Sequence, residues 1–171
     1  QVRDKGIARP VLIGNKTEVA SHAEQLGLSL EGIEIIDSKT DIRLESYASA
    51  YAQKRNMREA IAKKLVRKPL SFGGMMVSQG EADGMVAGVA TATSIVIQTA
   101  TLTVGFQEGL STPSSFFLMI LPEFQEEKDK IFIFADAAVI IQPNAQQLAE
   151  IAVASGTNAK SLLGIDPKIA F

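Results

Sequence analysis

The chain of 171 residues contains no cysteine, no tryptophan and a single histidine, His22. Without cysteine it has no disulfide framework, no thiolate metal site and no cysteine nucleophile. One histidine gives little support for a Ser-His-Asp triad or a multi-histidine metal site, and we expect no metal. The spacing of His22 four residues after Glu18 predicts an exposed helix position. Any chemistry therefore depends on carboxylates, hydroxyls, arginines and backbone amides.

The chain also lacks a strong charge of either sign and any long apolar run. Its formal net charge is −2, its hydrophobic fraction is 46% and its mean hydropathy is +0.14. The charge gives no electrostatic reason to expect nucleic acid or an anionic membrane as a partner. Polar residues interrupt each apolar stretch within about ten positions, so no transmembrane helix is expected. This composition predicts a folded domain with a buried core, and we expect it in the cytoplasm.

The two ends predict a piece of a longer protein. Residues 10–14 have the pattern of a strand, but no earlier strand precedes them to start a sheet. Residues 167–171 have the pattern of a buried strand that stops at once. Gln1 is not an initiator methionine, and no secretory signal follows it. We therefore expect these residues to be a fragment.

The order of the predicted elements indicates an α/β fold. Residues 11–14 predict a buried strand, residues 15–26 a helix that Gly27 ends, and residues 33–37 a second strand. Strand, helix, strand is the unit of a parallel sheet flanked by helices. We predict a first α/β domain over residues 1–110 and the beginning of a second α/β domain over residues 111–171.

The remaining elements follow from spacing and from turn residues. Helical spacing runs through residues 43–67, and Pro69 separates it from a second helix at 70–79. The other predicted elements are a short buried strand at 83–87, a helix at 91–102, strands at 114–120 and 131–135 around a polar turn at 123–130, and a helix at 143–154.

Two groups in the first predicted domain are candidate binding residues. Arg55 offers a rigid fork of donors that suits a phosphate or carbonyl oxygen, although its many basic neighbours equally indicate a solvated basic face. Thr91, Thr93 and Ser94 lie at the start of a predicted helix. Their hydroxyls and the free amides there could hold an acyl carbonyl or a phosphate, or could simply cap the helix.

The second predicted domain offers carboxylate and hydroxyl candidates. Asp136 follows the predicted strand 131–135, at the carboxyl end where open α/β sheets bind ligands. Asp136 or Asp83 could be a general base, and either could instead cap a turn or pair with a lysine. Ser114 and Ser115 are either ligand contacts or residues at the start of a strand. The start of the helix at Asn144 could favour a phosphate, or could be an ordinary capped helix.

Three segments, in this order and with these separations, resemble the phosphate acetyltransferase (phosphotransacetylase) family. They are GEADGMVAG at 80–88, STPSSFFLM at 111–119 and FADAAV at 134–139. The likeness starts at GIARPVLIG (6–14) and ends at GIDPKIA (164–170), so it covers nearly the whole chain.

The resemblance implies acyl transfer between coenzyme A and phosphate, that is, acetyl-coenzyme A and phosphate giving acetyl phosphate and coenzyme A. It implies two α/β domains with a cleft between them, a homodimer, and coenzyme A as a substrate with no other cofactor. An aspartate of the family takes the proton of the coenzyme A thiol, and the thiolate attacks the carbonyl of acetyl phosphate. Arg55 matches the substrate-binding arginine of the family, and residues 91–94 match a hydroxyl-rich substrate segment. Because they lie in matching segments, Ser114, Ser115 and Asp136 are also candidate substrate-binding residues.

Two departures from the family pattern leave alternatives open. Gln98 stands where the family has an arginine in a Thr-Leu-Arg-Pro-like motif, and a neutral amide binds phosphate more weakly than a guanidinium. The late Leu-Ser-Arg-Gly motif that precedes the family's catalytic aspartate does not occur in residues 1–171, so the catalytic residue is unknown. One alternative is a non-catalytic acyl-coenzyme A-sensing domain, like the phosphotransacetylase-like part of some malic enzymes. Another is a half-domain that serves dimerisation.

Overall fold

The computed structural model describes residues 2–171, which form an α/β chain, as predicted. Two compact units follow each other: unit 1 ends at Gly105, and unit 2 is Phe106–Phe171. Compactness alone does not define an independently folding domain, so the proposed domains 1–110 and 111–171 stay predictions.

The predicted strand, helix and strand at the start of unit 1 are confirmed. β1 (Val11–Ile13) and β2 (Glu34–Ile36) pair in parallel, and α1 (Lys16–Gln25) connects them. The side chain of Asn15 caps α1 by accepting hydrogen bonds from the amides of Thr17 and Glu18 at 3.0 and 3.1 Å. This cap satisfies helix amides that have no partner within the helix.

The prediction of one helix over residues 43–67 is wrong, because the chain turns in the middle. α2 (Leu44–Arg55) ends at Asn56, whose φ of 49° and ψ of 53° are left-handed, and α3 (Glu59–Val66) follows. Asparagine adopts this conformation more readily than most residues with a side chain. The apolar spacing continues across the break and so concealed it.

Two further helices complete unit 1, and α2, α3 and α4 enclose its core. They are α4 (Pro69–Ser78) and α5 (Thr93–Thr103). Tyr47 of α2 and Phe72 of α4 are both buried, with ring centroids 5.0 Å apart. The buried residues of this core are Ile36, Leu44, Tyr47, Tyr51, Ala52, Ala62, Val66, Phe72, Met75 and Met76.

The predicted buried strand at 83–87 is also wrong. These residues form neither helix nor strand, and the side chain of Val86 is fully exposed. Two glycines, Gly84 and Gly88, interrupt the segment, and Gly88 has a φ of 135° that is open mainly to glycine. No strand among residues 2–171 pairs with the segment, so its apolar residues have no sheet to enter.

Unit 2 consists of a β-hairpin and one long helix. β3 (Phe116–Phe124) and β4 (Glu127–Ala135) are antiparallel, and the loop between them is only Gln125 and Glu126, both with positive φ. The polar turn predicted at 123–130 is therefore too long, because the strands stay paired through polar positions such as Glu123 opposite Lys128. α6 (Ala145–Leu163) runs past the predicted end at residue 154, to Gly164, which has a φ of 67°.

No helix in the described part of the chain combines the length and the apolar character needed to cross a membrane.

Candidate functional site

Two adjacent cations of α2, Lys54 and Arg55, hold the C-terminal end of α5. Lys54 Nζ donates to the carbonyl oxygens of Thr103 and Val104 at 2.8 Å each, and Arg55 Nε and Nη2 donate to those of Leu102 and Thr101 at 2.8 and 2.5 Å. The last carbonyls of a helix have no partner within it and carry partial negative charge. The two side chains therefore complete the hydrogen bonds of this helix end.

This position separates Arg55 from the hydroxyls at the other end of α5. The helix has 11 residues and is therefore about 16 Å long, at about 1.5 Å per residue. A single phosphate cannot span that length, so Arg55 and Thr93 cannot bind the same phosphate. Gln98 lies three and four residues before Thr101 and Leu102, whose carbonyls hold Arg55, so Gln98 is the predicted site residue on α5 nearest to Arg55 in sequence register.

The N-terminal end of α5 carries free donors. Ala92 occupies the cap position, and no side chain caps the helix. The simple capping role considered for Thr91, Thr93 and Ser94 is therefore wrong. The backbone amides of Thr93 and Ser94 donate to no acceptor within residues 2–171, and both side chains are exposed. Such a helix end favours an anion, and the two hydroxyls add further donors.

Ser94 and Gln98 connect the two ends of the helix on one face. They are four residues apart and both are exposed, so their side chains are neighbours on the helix surface. The face continues towards the helix end that Arg55 holds. We use the name α5 face for Ser94 and Gln98 of α5 together with Arg55, which belongs to α2 and holds the end of α5. Thr91, by contrast, precedes the helix and is half-buried.

A hydrogen bond holds the acidic segment 80–88 near its start, at Glu81, and the residues from Asp83 onwards are mostly exposed. Arg43 Nη1 donates to Glu81 Oε2 at 3.1 Å, while Nε and Nη2 of the same side chain donate to the two carboxylate oxygens of Asp41. The hydrogen bond from Arg43 lowers the pKa of Asp41. Asp83 is exposed and has no hydrogen-bond partner within residues 2–171.

Asp136 organises the turn after β4. Its Oδ1 accepts hydrogen bonds from the amide of Ser115 at 2.9 Å and from the Ser115 hydroxyl, and its Oδ2 accepts from the amides of Val139, at 3.1 Å, and Ile140. The Ser115 hydroxyl in turn accepts from the amide of Ala138 at 2.9 Å. Asp136 and Ser115 thus tie the start of β3 to the turn that follows β4.

These donors determine the acidity of Asp136. Burial raises its pKa, but the hydrogen bonds from Ser115 and from the amides of Ile140 and Ala138 outweigh burial and lower the pKa to about 2. A carboxylate with so low a pKa is a weak base. The hydrogen bonds that both carboxylate oxygens accept fit the turn-capping alternative for Asp136, and the general-base alternative stays untested. Its neighbour Ser114 donates only a long hydrogen bond, 3.5 Å, to the carbonyl of Ser115.

Glu150 of α6 is a second organising carboxylate, one that no sequence pattern pointed to. Its Oε2 accepts hydrogen bonds from the amides of Ser111 and Thr112 at 2.9 Å each, and Gln146 Nε2 donates to Oε1 at 3.2 Å. The donors of Ser111 and Thr112 lower its pKa to about 2. No local signal marks this role, because Ser111 and Thr112 lie 39 and 38 residues away in sequence.

Two other candidates have ordinary structural roles. Asn144 forms a capping box with Gln147, so their side chains already accept hydrogen bonds from two backbone amides at the start of α6. His22 is exposed, as predicted, and its Nδ1 lies 2.7 Å from the carbonyl oxygen of Glu18. No group of three or more histidine, aspartate or glutamate side chains within residues 2–171 could hold a metal ion.

We expect Asp136 to stabilise unit 2 less as the pH falls. Its folded pKa is below the usual 3.8, so its contribution is complete above pH 4 and is lost as the pH falls through that value towards about 2. Amide protection factors of Val139 and Ala138, measured in wild type and Asp136→Asn, should differ at pH 6 and converge near pH 2. The control is Asp129→Asn, which changes an exposed carboxylate of the same hairpin. A constant difference between wild type and Asp136→Asn at all pH values would contradict this prediction.

Comparison with known proteins gives the family. All 171 residues match the family model described as phosphate acetyl/butaryl transferase. The chain belongs to this family. It is 37% identical over 172 residues to the phosphate acetyltransferase of Acetivibrio thermocellus, and 38% identical over 172 residues to that of Thermoanaerobacterium thermosaccharolyticum. These alignments cover 99% of the chain and 51% and 52% of the relatives, so the chain spans about half of their length.

Solved structures agree with the family. The chain superposes on the EutD phosphotransacetylase from Staphylococcus aureus with a TM-score of 0.81 and 33% identity, covering 92% of this chain and 46% of that one. It superposes on a phosphotransacetylase from Streptococcus pyogenes with a TM-score of 0.82 and 31% identity, covering 98% and 50%. The resemblance seen in the sequence is therefore confirmed. The roles of the individual site residues stay predictions.

Proposed function

We propose that this chain takes part in acyl transfer between coenzyme A and phosphate. The observation that carries the proposal is the match of the whole chain to the phosphate acetyl/butaryl transferase family. The relatives named above are phosphate acetyltransferases, so a purely regulatory, acyl-coenzyme A-sensing role is not favoured. We further propose that the protein works as a homodimer in the cytoplasm and that coenzyme A is a substrate rather than a resident cofactor.

The donors of the α5 face support our proposal that phosphate or acetyl phosphate binds there. Nη1 of Arg55 donates to no acceptor within residues 2–171, and Gln98, about one turn before the carbonyls that Arg55 holds, adds an exposed neutral amide donor. The free amides of Thr93 and Ser94 offer a second anion-binding position at the other helix end. The two positions suit an extended substrate pair better than one small anion.

These groups would act by binding and by stabilising charge. When the coenzyme A thiolate attacks the carbonyl carbon of acetyl phosphate, a carbon–sulfur bond forms, negative charge develops on the carbonyl oxygen, and phosphate leaves with the bonding electrons. Fixed donors that face this oxygen and the phosphate lower the barrier. The thiol proton needs a base, and Asp136, whose two carboxylate oxygens accept hydrogen bonds and whose pKa is about 2, is a weak one. Asp83, the other possible base, is exposed and has no hydrogen-bond partner within residues 2–171, so the base stays unassigned.

The proposal is tested by binding and by turnover of residues 1–171. We expect inorganic phosphate and acetyl phosphate to shift the NMR signals of Ser94, Gln98 and Arg55, whereas sodium chloride at equal ionic strength should not. We expect no saturable formation of acetyl phosphate from acetyl-coenzyme A and phosphate, because positioning without a base gives little rate. An absence of phosphate-dependent shifts on α5 would refute this placement of the anion. Turnover comparable with that of a whole transferase would show that residues 1–171 do contain the base.

A further inference from the structure

We propose that Lys54 is a positioning residue for the α5 face, and this inference rests on the proposed function. The side chain of Lys54 donates no hydrogen bond to Ser94, Gln98 or Arg55 within residues 2–171. It acts through the backbone at the end of α5, where its ammonium donates to the carbonyls of Thr103 and Val104.

Two side chains divide the C-terminal end of α5 between them. Arg55 holds Leu102 and Thr101, and Lys54 holds the two residues that follow. Arg55 offers its free Nη1 to an anion while its Nε and Nη2 hold two carbonyls, so one guanidinium serves both tasks. The two hydrogen bonds of Lys54 go to the carbonyls of Thr103 and Val104 and involve no atom of Arg55. Lys54 therefore keeps the helix end in place while Arg55 binds.

Few other contacts restrain α5. No side chain caps its N-terminal end, and most of its side chains are exposed or half-buried. Thr103 alone is buried, against Gly74 of α4. The helix is thus held mainly near its C-terminal end, and a small change there moves the residues further along it. Gln98 and Ser94 are among the residues that would move.

The positive charge of Lys54 also suits this position. An ammonium at the C-terminal end of a helix interacts favourably with the helix dipole, and a hydrogen bond to a charged donor is stronger than a neutral one. A methionine in place of Lys54 keeps the length of the side chain but loses both hydrogen bonds and the charge. An arginine keeps the charge and can donate to the same pair of carbonyls.

The experiment compares wild type, Lys54→Met, Lys54→Arg and the control Lys64→Met, each as residues 1–171. Lys64 is an exposed lysine of α3 with no partner within residues 2–171. Amide hydrogen exchange of α5 is measured without ligand, and dissociation constants are measured for inorganic phosphate and for coenzyme A. We expect Lys54→Met to speed exchange in α5 and to weaken phosphate binding about five- to tenfold, the loss of roughly one good hydrogen bond. Coenzyme A binding should change less than about twofold, and Lys54→Arg should restore phosphate binding.

The outcomes separate this inference from the proposed function. Wild type that binds phosphate, together with Lys54→Met that binds it equally well, would refute the role of Lys54 and leave the proposed function intact. Equal losses for phosphate and coenzyme A, without rescue by Lys54→Arg, would show general damage and refute it as well. Wild type that binds no phosphate would overturn both, and faster exchange in Lys54→Met would then show that the helix anchor is real but serves no anion site.

Discussion

Gly74→Ala destabilises unit 1 by about 2 kcal/mol or more, in the range expected for an overpacked core. A Cβ on Gly74 would lie 2.2 Å from Thr103 Oγ1 and 2.9 Å from Thr103 Cβ. Thr103 is short, β-branched and almost fully buried, and its hydroxyl donates to the carbonyl of Thr99 at 2.8 Å. It has no flexible end that could move aside, so α4 and α5 must separate. The gain in helix propensity, about 1 kcal/mol, is smaller than this loss.

The neighbouring glycine provides the matched control. A Cβ on Gly73 would meet Met85 Sδ at 2.9 Å and Ile13 Cδ1 at 3.1 Å, which are the ends of flexible side chains. Gly73→Ala should therefore change stability by less than about 1 kcal/mol. Urea denaturation followed by near-ultraviolet circular dichroism reports on unit 1, because Tyr47 and Tyr51 are the two tyrosines of the chain. Thr103→Ala should partly rescue Gly74→Ala. Equal effects of the two glycine substitutions would contradict the packing argument.

Arg55→Ala weakens the binding of phosphate or acetyl phosphate by about 1.5–3 kcal/mol, the scale of a hydrogen bond to a charged group. The reason is that Nη1 of Arg55 is free to meet an anion, while Nε and Nη2 hold α5 and fix the orientation of the guanidinium. Gln98→Arg should strengthen phosphate binding, because it adds a second guanidinium on the α5 face. Coenzyme A affinity should change much less in both variants.

The controls address the second role of Arg55. Arg58→Ala removes an exposed arginine of the same basic region and should leave phosphate binding unchanged. Isothermal titration with phosphate, acetyl phosphate and coenzyme A gives the three affinities. If Arg55→Ala loses no more phosphate affinity than Lys54→Met, Arg55 serves only as a cap of α5. If Gln98→Arg brings no gain while wild type binds coenzyme A, a sensing role becomes the better explanation.

Local sequence was sufficient wherever the deciding contacts are local. Asn15 before a helical pattern and Gly27 after it located α1, and two short apolar runs at 116–121 and 131–135 located β3 and β4. The same local rules failed at Asn56, since an apolar stripe of helical spacing continues across a left-handed turn. They also failed at residues 83–87, whose strand-like composition has no neighbouring strand to pair with.

The sequence by itself determined the family, the α/β class and the residue types available for chemistry, because motif order and periodicity are properties of the chain. Only the tertiary structure decided what Lys54, Arg55, Asp136 and Glu150 contact. The carbonyl partners of Lys54 and Arg55 lie 46 to 50 residues away in sequence. The amides of Ser111 and Thr112, which donate to Glu150, lie 39 and 38 residues away. The sequence does not distinguish a charged side chain that faces water from one that completes a helix end, because distant backbone groups determine its environment. Folding brings those groups to it, and this contact determines whether the charge binds a ligand or holds the fold.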